Sequence, residues 1–454
     1  MLTLEQRIAS LNSAVQDRIG PHADTLAEWF DNVCGAELGD IGTDRLALAP
    51  VLVPSELAER LARCHEAFRK AIEWIFRYRF EGSWYRLAEG LRLADPVFRY
   101  IDPERKPRPP TMARPDVVIH GDAITMVEPN AGSSCGARIA DADLLGRFFE
   151  SFPVMSGILS ENGARRFDIT GTLTRHIKTM LATADNVPDR RLVVVTEFRS
   201  EFGRGPHRLA REMRRHGIRA EAAAVEDLDV SETGIAYGGE RCALLYRFAA
   251  EEPDPIGNYP LLAPILAASR RGDVLIIDDL DDTIAQNKTI LAPLSEELDG
   301  GHLPRQLSEE LATFVPWCRI LEECHAHVDG ERVDLPEWCA KNREDLVLKP
   351  GAGYRGNGVL IGGQTEPARW EEGLDAALSS SDAWIVQRLA KSEPAMTSTV
   401  RSGAVISAST YVDYSYFAIA GTTPAGIVRR GSRFGFGEPS RIVKSGPYGP
   451  AFVV

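Results

Sequence analysis

Hydrophobic positions form two kinds of pattern along this chain, and each pattern predicts a different kind of secondary structure. From Leu57 to Ile75 the apolar residues are spaced three and four apart, which is typical of an amphipathic helix. After a proline-rich stretch at residues 102–110, short apolar runs bounded by glycine, proline or charged residues predict β-strands between further helices. We therefore expect an α/β (α+β) fold in which residues 1–110 are helical and precede the sheets.

Two apolar runs, at residues 117–119 and 124–127, flank a Gly121-Asp122 pair and predict a β-hairpin. Polar residues lie at its open end: Arg114, Asp116, Glu128 and Asn130. Residues two apart on a strand face the same side, so the hairpin brings these two pairs close together. Carboxylate and amide oxygens of this kind suit Mg²⁺, which usually keeps water and substrate phosphates as further ligands. A surface hairpin with a simple ion pair is the alternative interpretation.

The stretch Asp345–Gly363 combines a lysine with closely spaced glycines between two apolar runs, and it predicts a strand, a flexible loop and a second strand. The glycines of the loop are Gly351, Gly353, Gly356 and Gly358. Glycine lets backbone N–H groups approach a polyphosphate closely, and Lys349 supplies a mobile positive charge. The lysine precedes the glycines and no helix pattern follows, so neither a P-loop nor a dinucleotide-binding loop fits. An ordinary hairpin with a long tip is left open.

Residues 192–228 show a strand–helix–strand pattern that predicts a βαβ unit. A hairpin with Gly238-Gly239 at its turn is predicted to follow. An open α/β unit often offers a ligand crevice at its strand ends, and the absence of GxGxxG gives no support for dinucleotide binding.

A predicted strand at residues 274–277 runs into four aspartates and then into a predicted helix that carries Lys288 about two turns from its start. The aspartates are candidate metal ligands, although Asp281 or Asp282 as a helix cap is the simpler explanation. The chain has only eight lysines among 52 basic residues, so Lys288 and Lys349 are candidates for positions that need a compact charge.

Composition narrows the class of protein further. The chain has 454 residues, enough for two or three subdomains, and its 44% hydrophobic and 26% charged residues are ordinary for a globular protein. A net charge of −13 argues against nucleic acid as a partner. No apolar run reaches about 18 residues and the first ten residues are polar, so we expect no membrane partner, no signal peptide and a cytoplasmic location. The seven cysteines form no CxxC pair, which gives no support for a zinc ribbon or a disulfide scaffold.

The order of these motifs resembles that of the ATP-grasp ligases, and within them the glutathionylspermidine synthetase-like, circularly permuted branch. That branch carries Arg-x-Asp, then Glu-x-Asn, an Asn-Lys-x-x-Leu helix, a Lys-Pro glycine-rich lid, a strand ending in glutamine before the adenine hinge, and a late arginine. The matching residues here are Arg114, Asp116, Glu128, Asn130, Asn287, Lys288, Leu291, Lys349, Pro350, Gln387, and Arg429 or Arg430. The resemblance covers roughly residues 110–454, and it departs at Tyr354-Arg355, where relatives often have a glutamate in or near the lid.

The resemblance implies an ATP-grasp fold with an α/β pre-ATP-grasp substrate domain and a helical N-terminal region. The implied division is residues 1–110 as the helical region, 111–185 as the metal-binding hairpin and helices contributing to the ATP-grasp core, 186–272 as the α/β substrate domain, and 273–454 as the nucleotide-binding region with the glycine-rich lid.

The activity that the resemblance implies is the ATP-dependent joining of a small carboxylate and an amine, such as an amino acid or short peptide, through an acylphosphate. It implies Mg²⁺ on Asp116, Glu128 and Asn130, with Arg114 and Arg430 stabilising charge on the acylphosphate. The implied ATP-binding residues are Lys288, Lys349, Gly353, Arg355, Gly356, Asn357, Gly358, Gln387 and Leu389. Because acylphosphates hydrolyse, we expect the glycine-rich loop to close over the site. A non-catalytic nucleotide- or peptide-binding protein, a small-molecule kinase and a homodimer are left open.

Overall fold

The structure is a computed structural model, and it describes nine segments: residues 2–93, 111–132, 137–184, 191–200, 202–247, 255–277, 285–353, 356–431 and 446–454. The proline-rich stretch, the four aspartates after residue 277 (Asp281 and Asp282 among them), and the lid residues Tyr354 and Arg355 lie outside these segments. Within the nine segments, no helix has both the length and the apolar character that crossing a bilayer requires.

Helices form where apolar residues recur at helical spacing, and their apolar faces are buried. In the helix Ser55–Tyr78, the predicted apolar positions Leu57, Leu61 and Phe68 pack into one core with Val117 of the hairpin. The α-helices of the described segments are Leu4–Ile19, Ala23–Leu38, Ser55–Tyr78, Trp84–Gly90, Ala137–Ser151, Pro153–Glu161, Ile169–Thr183, Arg204–Arg215, Pro255–Arg270, Leu291–Asp299, Arg305–Leu311, Leu335–Lys341 and Pro367–Leu378.

The strands fall into three larger sheets and two separate hairpins within the part of the chain that the structure describes. In chain order they are β1 (Val51–Val53), β2 (Met112–Ala113), β3 (Asp116–His120), β4 (Ala123–Glu128), β5 (Arg165–Arg166), β6 (Leu192–Glu197), β7 (Ala220–Ala224), β8 (Asp229–Ser231), β9 (Gly234–Tyr237), β10 (Glu240–Arg247), β11 (Leu275–Ile277), β12 (Cys318–Ile320), β13 (His325–Val328), β14 (Glu331–Asp334), β15 (Leu346–Pro350), β16 (Leu360–Ile361), β17 (Trp384–Arg388), β18 (Ala395–Arg401), β19 (Ala404–Thr410), β20 (Val412–Ile419), β21 (Thr422–Gly431) and β22 (Tyr448–Val453).

The largest sheet brings together strands that are far apart in the sequence. Among the described residues its order is β1-β22-β21-β20-β3-β4, with β2 paired to β20 and β5 paired to β22. The predicted hairpin is confirmed as β3 and β4, and it joins the sheet through β20. Strand β1 lies within the range predicted to be helical, and it pairs in parallel with β22. The sheet therefore draws on three of the four ranges given above, and that division of the chain stays a prediction.

The second sheet contains the predicted βαβ unit. Strands β6 and β7 are parallel, and the helix Arg204–Arg215 connects them. Strands β10 and β11 continue the parallel set beside β6, so the carboxyl ends of these strands lie at one edge of the sheet. The predicted turn between β9 and β10 is also confirmed, because Gly238 and Gly239 have φ angles of 58° and 79°, which glycine adopts without strain.

The third sheet carries the glycine-rich loop. Its order is β12-β17-β15-β16, and the loop connects the antiparallel strands β15 and β16, as the sequence pattern predicted. The helix Pro367–Leu378 packs on this sheet, where Trp370 and Leu374 share a core with Leu346 and Leu348 of β15.

Lys288 does not lie two turns into a helix, so that part of the prediction was wrong. It begins a 3₁₀ turn, Lys288–Ile290, and the α-helix Leu291–Asp299 follows directly. The reason is Asn287, whose side chain accepts a hydrogen bond from the backbone N–H of Thr289 at 3.0 Å. A capping asparagine with extended backbone geometry starts a helical segment and prevents one from passing through it.

Candidate active site

The open end of the β3–β4 hairpin carries the four polar residues that the sequence pattern predicted there. Asp116 and Glu128 are directly opposed across the two strands. The backbone N–H of Arg114 donates to the carbonyl of Asn130 at 2.8 Å, which extends the pairing beyond the regular strands. The four residues are therefore neighbours, as the hairpin pattern predicted.

The tip of the same hairpin is fixed by the first helix of the chain. The N–H of Gly121 donates to Oε2 of Glu5 at 2.7 Å, and the N–H of Leu4 donates to Oδ1 of Asp122 at 2.8 Å. The N–H of Glu5 also donates to the carbonyl of Gly121 at 3.0 Å. The helical N-terminal region thus holds one end of the hairpin whose other end carries the candidate site.

Asp116 is buried and accepts several hydrogen bonds. Its Oδ1 accepts from the hydroxyl of Ser415 at 2.6 Å, and its Oδ2 accepts from Nη2 of Arg430 at 2.6 Å and from Nδ2 of Asn130 at 3.1 Å. Nε of Arg114 lies 3.7 Å from Oδ1. Burial disfavours the ionised carboxylate, but the positive charges of Arg430 and Arg114 outweigh this effect and lower the pKa of Asp116.

Arg430 is the late arginine that lies against the hairpin. Its Nε donates to Oδ1 of Asp413 at 2.7 Å, so the guanidinium contacts two carboxylates, those of Asp413 and Asp116. Burial disfavours the charged guanidinium, yet these carboxylates raise the pKa of Arg430 above its ordinary value. Burial also raises the pKa of Asp413 to about 6, although Arg430 opposes this. Arg429 has a different partner, since its Nη2 donates to the carbonyl of Met396 at 3.2 Å.

Sequence reasoning does not single out Asp413 and Ser415, which complete this charge cluster. Both lie on β20, where Asp413 opposes Arg430 and Ser415 opposes Asp116. A usable signal is present in the sequence, since two polar residues spaced two apart alternate with tyrosines in an otherwise apolar strand. Such a pair places polar groups on one face of a buried strand, where they need partners.

Lys288 contacts the hairpin and the glycine-rich loop at the same time. Its Nζ lies 2.9 Å from Oε1 of Glu128 and donates to the carbonyl of Gly353 at 2.6 Å. Its backbone N–H donates to the carbonyl of Gly351 at 3.0 Å. The Glu128 side chain is 29% exposed, so this ion pair is in contact with solvent.

Lys349 approaches the hairpin from β15. Its Nζ donates to the carbonyl of Val127 at 2.9 Å and to Oε1 of Gln387 at 3.0 Å. The amide nitrogen of Gln387 in turn donates to the carbonyl of Met126 at 3.4 Å. Burial lowers the pKa of Lys349 to about 8, and the charge of Glu128 only partly opposes this. Gln387, which the resemblance places at the nucleotide, therefore also orients Lys349.

The other predicted ATP-binding residues lie in the loop and just after β17. Gly356 and Gly358 have φ angles of 63° and 77°, which few other residues adopt without strain. Asn357 between them is exposed. The N–H of Leu389 donates to the carbonyl of Asp345 at 2.8 Å, which ties the segment after β17 to the start of β15. The roles of these residues stay predictions.

The oxygen atoms at the hairpin base fit a magnesium–nucleotide site by their chemistry. Asn130 directs its amide nitrogen to Asp116 and so leaves its amide oxygen for another partner. A carboxylate has about four lone-pair sites, and Asp116 accepts three hydrogen bonds, so its remaining site is on Oδ1, which Nε of Arg114 approaches at 3.7 Å. Among the described residues, no group of three or more His, Cys, Asp or Glu side chains is placed to hold a metal ion. A magnesium site here therefore needs Asp116, Glu128, the Asn130 amide and substrate phosphates together.

Comparison with known proteins gives similarities both in sequence and in fold. No family model matches the chain. A protein of Frankia casuarinae, provisionally named glutamate–cysteine ligase 2-2, is 28% identical over 240 residues, which are 50% of this chain and 25% of that protein. The chain thus spans about a quarter of the length of the curated relative that it matches.

Two of the solved structures that match this chain cover most of its length. The apo form of a glutathione synthetase-like effector from Globodera pallida matches with a TM-score of 0.50 at 10% identity, covering 85% of this chain and 82% of that one. A provisionally named gamma-glutamylcysteine synthetase from Methylobacillus flagellatus matches with a TM-score of 0.44 at 11% identity, covering 87% and 86%, a score that supports no conclusion about the fold. The protein is thus of mixed α/β class, with a fold similar to a glutathione synthetase-like structure.

Proposed function

We propose that this chain is an ATP-dependent carboxylate–amine ligase that forms an amide through an acylphosphate and releases ADP and phosphate. One observation carries the proposal, namely that two lysines from distant parts of the chain meet the base of one hairpin. Lys288 lies 2.9 Å from the carboxylate of Glu128, and Lys349 donates to the carbonyl of the neighbouring Val127 at 2.9 Å. Cations beside oxygen ligands are the groups that bind and neutralise a magnesium nucleotide.

The names of the matched proteins support the same class of reaction. A glutamate–cysteine ligase and a glutathione synthetase-like protein both carry the name of an enzyme that joins small molecules. The matched region is a quarter of the curated relative, so we leave the substrate pair to experiment. We also place the chain in the circularly permuted branch of the ATP-grasp ligases, on the spacing of Arg114, Asp116, Glu128 and Asn130.

The proposed reaction has two steps. One oxygen of the substrate carboxylate attacks the γ-phosphorus of ATP, the bond from that phosphorus to the β–γ bridging oxygen breaks, and ADP leaves. The nitrogen of the amine then attacks the acyl carbon, the bond from carbon to the phosphate oxygen breaks, and phosphate leaves. The nitrogen gives up a proton to solvent as the amide forms.

The side chains act by positioning and by neutralising charge, which is most of what phosphoryl transfer requires. Lys288 and Lys349 bind the phosphates of ATP. Arg430, with Arg114 beside it, faces the negative charge of the acylphosphate. The glycine-rich loop excludes water, because an acylphosphate that meets water is hydrolysed before the amine attacks.

Magnesium would be held by Glu128, Asn130 and the remaining acceptor site of Asp116. When bound, Mg²⁺ neutralises charge on the phosphates of ATP and orients them. The contacts of Asp116 with Arg430 and Ser415 fix the carboxylate for this purpose, since they leave it little freedom to rotate.

We assign the binding of the small-molecule substrates to the parallel edge of the second sheet. The hydroxyl of Tyr246, near the end of β10, lies 3.5 Å from the sulfur of Met112, which is two residues before Arg114. The carboxyl end of β10 therefore lies beside the strand that leads into the site. Crevices at the carboxyl ends of parallel strands are the usual binding places of open α/β sheets.

The proposal is tested by measuring ADP release with Mg²⁺–ATP and a panel of amino acids and short peptides, glutamate with cysteine included. A ligase releases ADP at full rate only when both a carboxylate and an amine are present. The combined variant Lys288→Met and Lys349→Met supplies the background rate.

The same assay separates the alternatives. ADP release with one substrate alone, together with a stable phosphorylated product, identifies a kinase. Binding of ATP without turnover for any substrate pair indicates a binding protein. Failure to bind ATP at all, measured by calorimetry, overturns the proposal.

A further inference from the structure

Three neighbouring strands of the largest sheet place four polar side chains on one face. Strand β20 lies in the middle, with Asp413 directly opposite Arg430 on β21 and Ser415 directly opposite Asp116 on β3. Residues two apart on a strand point the same way, so Asp413 and Ser415 share a face with both opposed residues. The register of the sheet therefore brings this cluster together.

Within the cluster, Arg430 is held at two different nitrogens. Nε donates to Oδ1 of Asp413 at 2.7 Å, and Nη2 donates to Oδ2 of Asp116 at 2.6 Å. A guanidinium has five N–H groups, so these two bonds leave three for other acceptors. The Arg430 side chain is 23% exposed, so part of it is accessible to a ligand.

Asp413 itself is enclosed, with 3% of its side chain exposed. Its described side-chain hydrogen bond is to Arg430, which lies directly opposite it on the neighbouring strand. A carboxylate placed in this way acts on the reaction through the arginine that it holds.

We propose that Asp413 is a positioning residue, which fixes the plane of the Arg430 guanidinium so that its remaining N–H groups face the reacting phosphoryl group. The catalytic consequence rests on the ligase function proposed above. A single contact, from Nη2 to Asp116, leaves the long arginine side chain free to turn about that contact. The second carboxylate, at Nε, removes this freedom, as the planar fork of arginine allows.

The first test separates binding from turnover. Asp413→Asn keeps the shape of the side chain and removes its charge. We expect kcat for ADP formation to fall about a hundredfold, because small misplacement of a group at the reacting atoms has an effect of that size. The Kd for ATP should change by less than about twofold, since Asp413 does not contact the nucleotide site.

A double variant tests whether Asp413 acts through Arg430. If it does, Asp413→Asn combined with Arg430→Lys is no slower than Arg430→Lys alone, because the two residues work as one unit. Asp143→Asn is the matched control. Asp143 is equally buried and accepts a hydrogen bond from Arg166 at 3.2 Å, but it lies outside the site. The control variant should turn over at the native rate.

A measurement that needs no substrate decides the positioning itself. The Nε–H signal of Arg430 in ¹H–¹⁵N spectra is identified by its loss in Arg430→Lys. Its exchange with water should be slow in the native protein, faster in Asp413→Asn and fastest in Asp413→Ala. Unchanged exchange in both Asp413 variants overturns the proposal, and so does a loss of kcat in Asp143→Asn as large as that in Asp413→Asn. If the native protein ligates no substrate pair, the proposed function fails, and the exchange rates still decide whether Asp413 holds Arg430.

Discussion

The ammonium of Lys288 lies 2.9 Å from the carboxylate of Glu128, so the cation that we assign to phosphate and the anion that we assign to magnesium form an ion pair with each other. The phosphates of an incoming nucleotide would bind Lys288. The carboxylate of Glu128 would then lie beside those phosphates without its counter-charge. Like charges at such short range repel, and a divalent cation removes that repulsion. The pair therefore predicts that ATP and Mg²⁺ bind together.

The first prediction concerns Glu128. The native protein should bind ATP more tightly in Mg²⁺ than in a chelator, and Glu128→Gln should bind ATP equally in both, because the variant lacks the carboxylate that the cation requires. Calorimetry measures both affinities. Glu240→Gln is the control, since Glu240 is likewise part of an ion pair, with Arg219, but lies in the second sheet. Native binding that is as tight in chelator as in Mg²⁺ would remove the metal role from this site.

The second prediction concerns Lys288. Lys288→Met should weaken ATP binding by about 1.5–3 kcal/mol, the usual range for a hydrogen bond to a charged group. The melting temperature should change little, because Glu128 is partly exposed and water can replace the ammonium. Lys178→Met is the control, since Lys178 also donates to a backbone carbonyl, that of His216, but lies on the surface. A variant that melts early and still binds ATP normally would make Lys288 a structural residue.

The third prediction concerns the pH dependence of ATP binding. Burial lowers the pKa of Lys349 to about 8, against an ordinary value of 10.5. Above pH 8 the ligand-free protein loses this charge, so ATP affinity should fall as the pH rises, by up to about tenfold per pH unit. Titrations of ATP between pH 7 and 10 check this, and Lys349→Met should bind weakly without that slope. An equal slope in the variant would assign the titration to another group.

The same pKa shift has an opposite effect on folding stability. Between pH 8 and 10.5 the unfolded chain keeps the Lys349 proton that the folded protein has lost, so the unfolded state binds more protons. Stability therefore rises with pH across this window through this group, and the burial penalty applies in full below it. Denaturant unfolding of the native protein and of Lys349→Met at several pH values measures both free energies of unfolding. The native protein should gain stability relative to Lys349→Met as the pH rises from 8 to 10.5.

The fourth prediction concerns the glycine-rich loop. Hydrogen exchange across residues 351–358 should slow when a nonhydrolysable ATP analogue binds, because closure protects the acylphosphate from water. Gly358→Ala should lose ligation while keeping some ATP binding, since Gly358 has a φ of 77° and an added Cβ would lie 3.2 Å from the Trp384 ring. Gly403→Ala, at a φ of 75° with no atom within 4 Å, controls for backbone strain alone. Equal protection from exchange with and without the analogue would show that this stretch is an ordinary hairpin and does not close.

The elements that the sequence predicted correctly are those that depend on local pattern. The helix Ser55–Tyr78 follows from its apolar spacing, and the β3–β4 hairpin follows from two apolar runs around Gly121-Asp122. The strands on either side of the glycine-rich loop follow in the same way. Proximity of Asp116 and Glu128 is a consequence of the hairpin, so it could be predicted as well.

The parts that the sequence did not predict depend on contacts between distant segments. The pairing of β1 with β22 joins residues that are about 400 positions apart, and no local pattern specifies it. Asp413 becomes informative only when its strand is known to lie between Arg430 and Asp116. The position of Lys288 has a local cause instead, because the side chain of Asn287 caps the 3₁₀ turn that Lys288 begins.

The long separation of the Asp116 contacts has a consequence for how the protein is made. Ser415 and Arg430 follow Asp116 by 299 and 314 positions, so the ribosome completes the hairpin long before it produces either partner. Until then the carboxylate has no counter-charge from β21 and stays hydrated, because burying it alone is costly. Contacts of this separation form late and slowly. A nascent chain that stalls before Val412 would therefore have Glu128 and Lys288 in place but would lack the Ser415 and Arg430 contacts of Asp116.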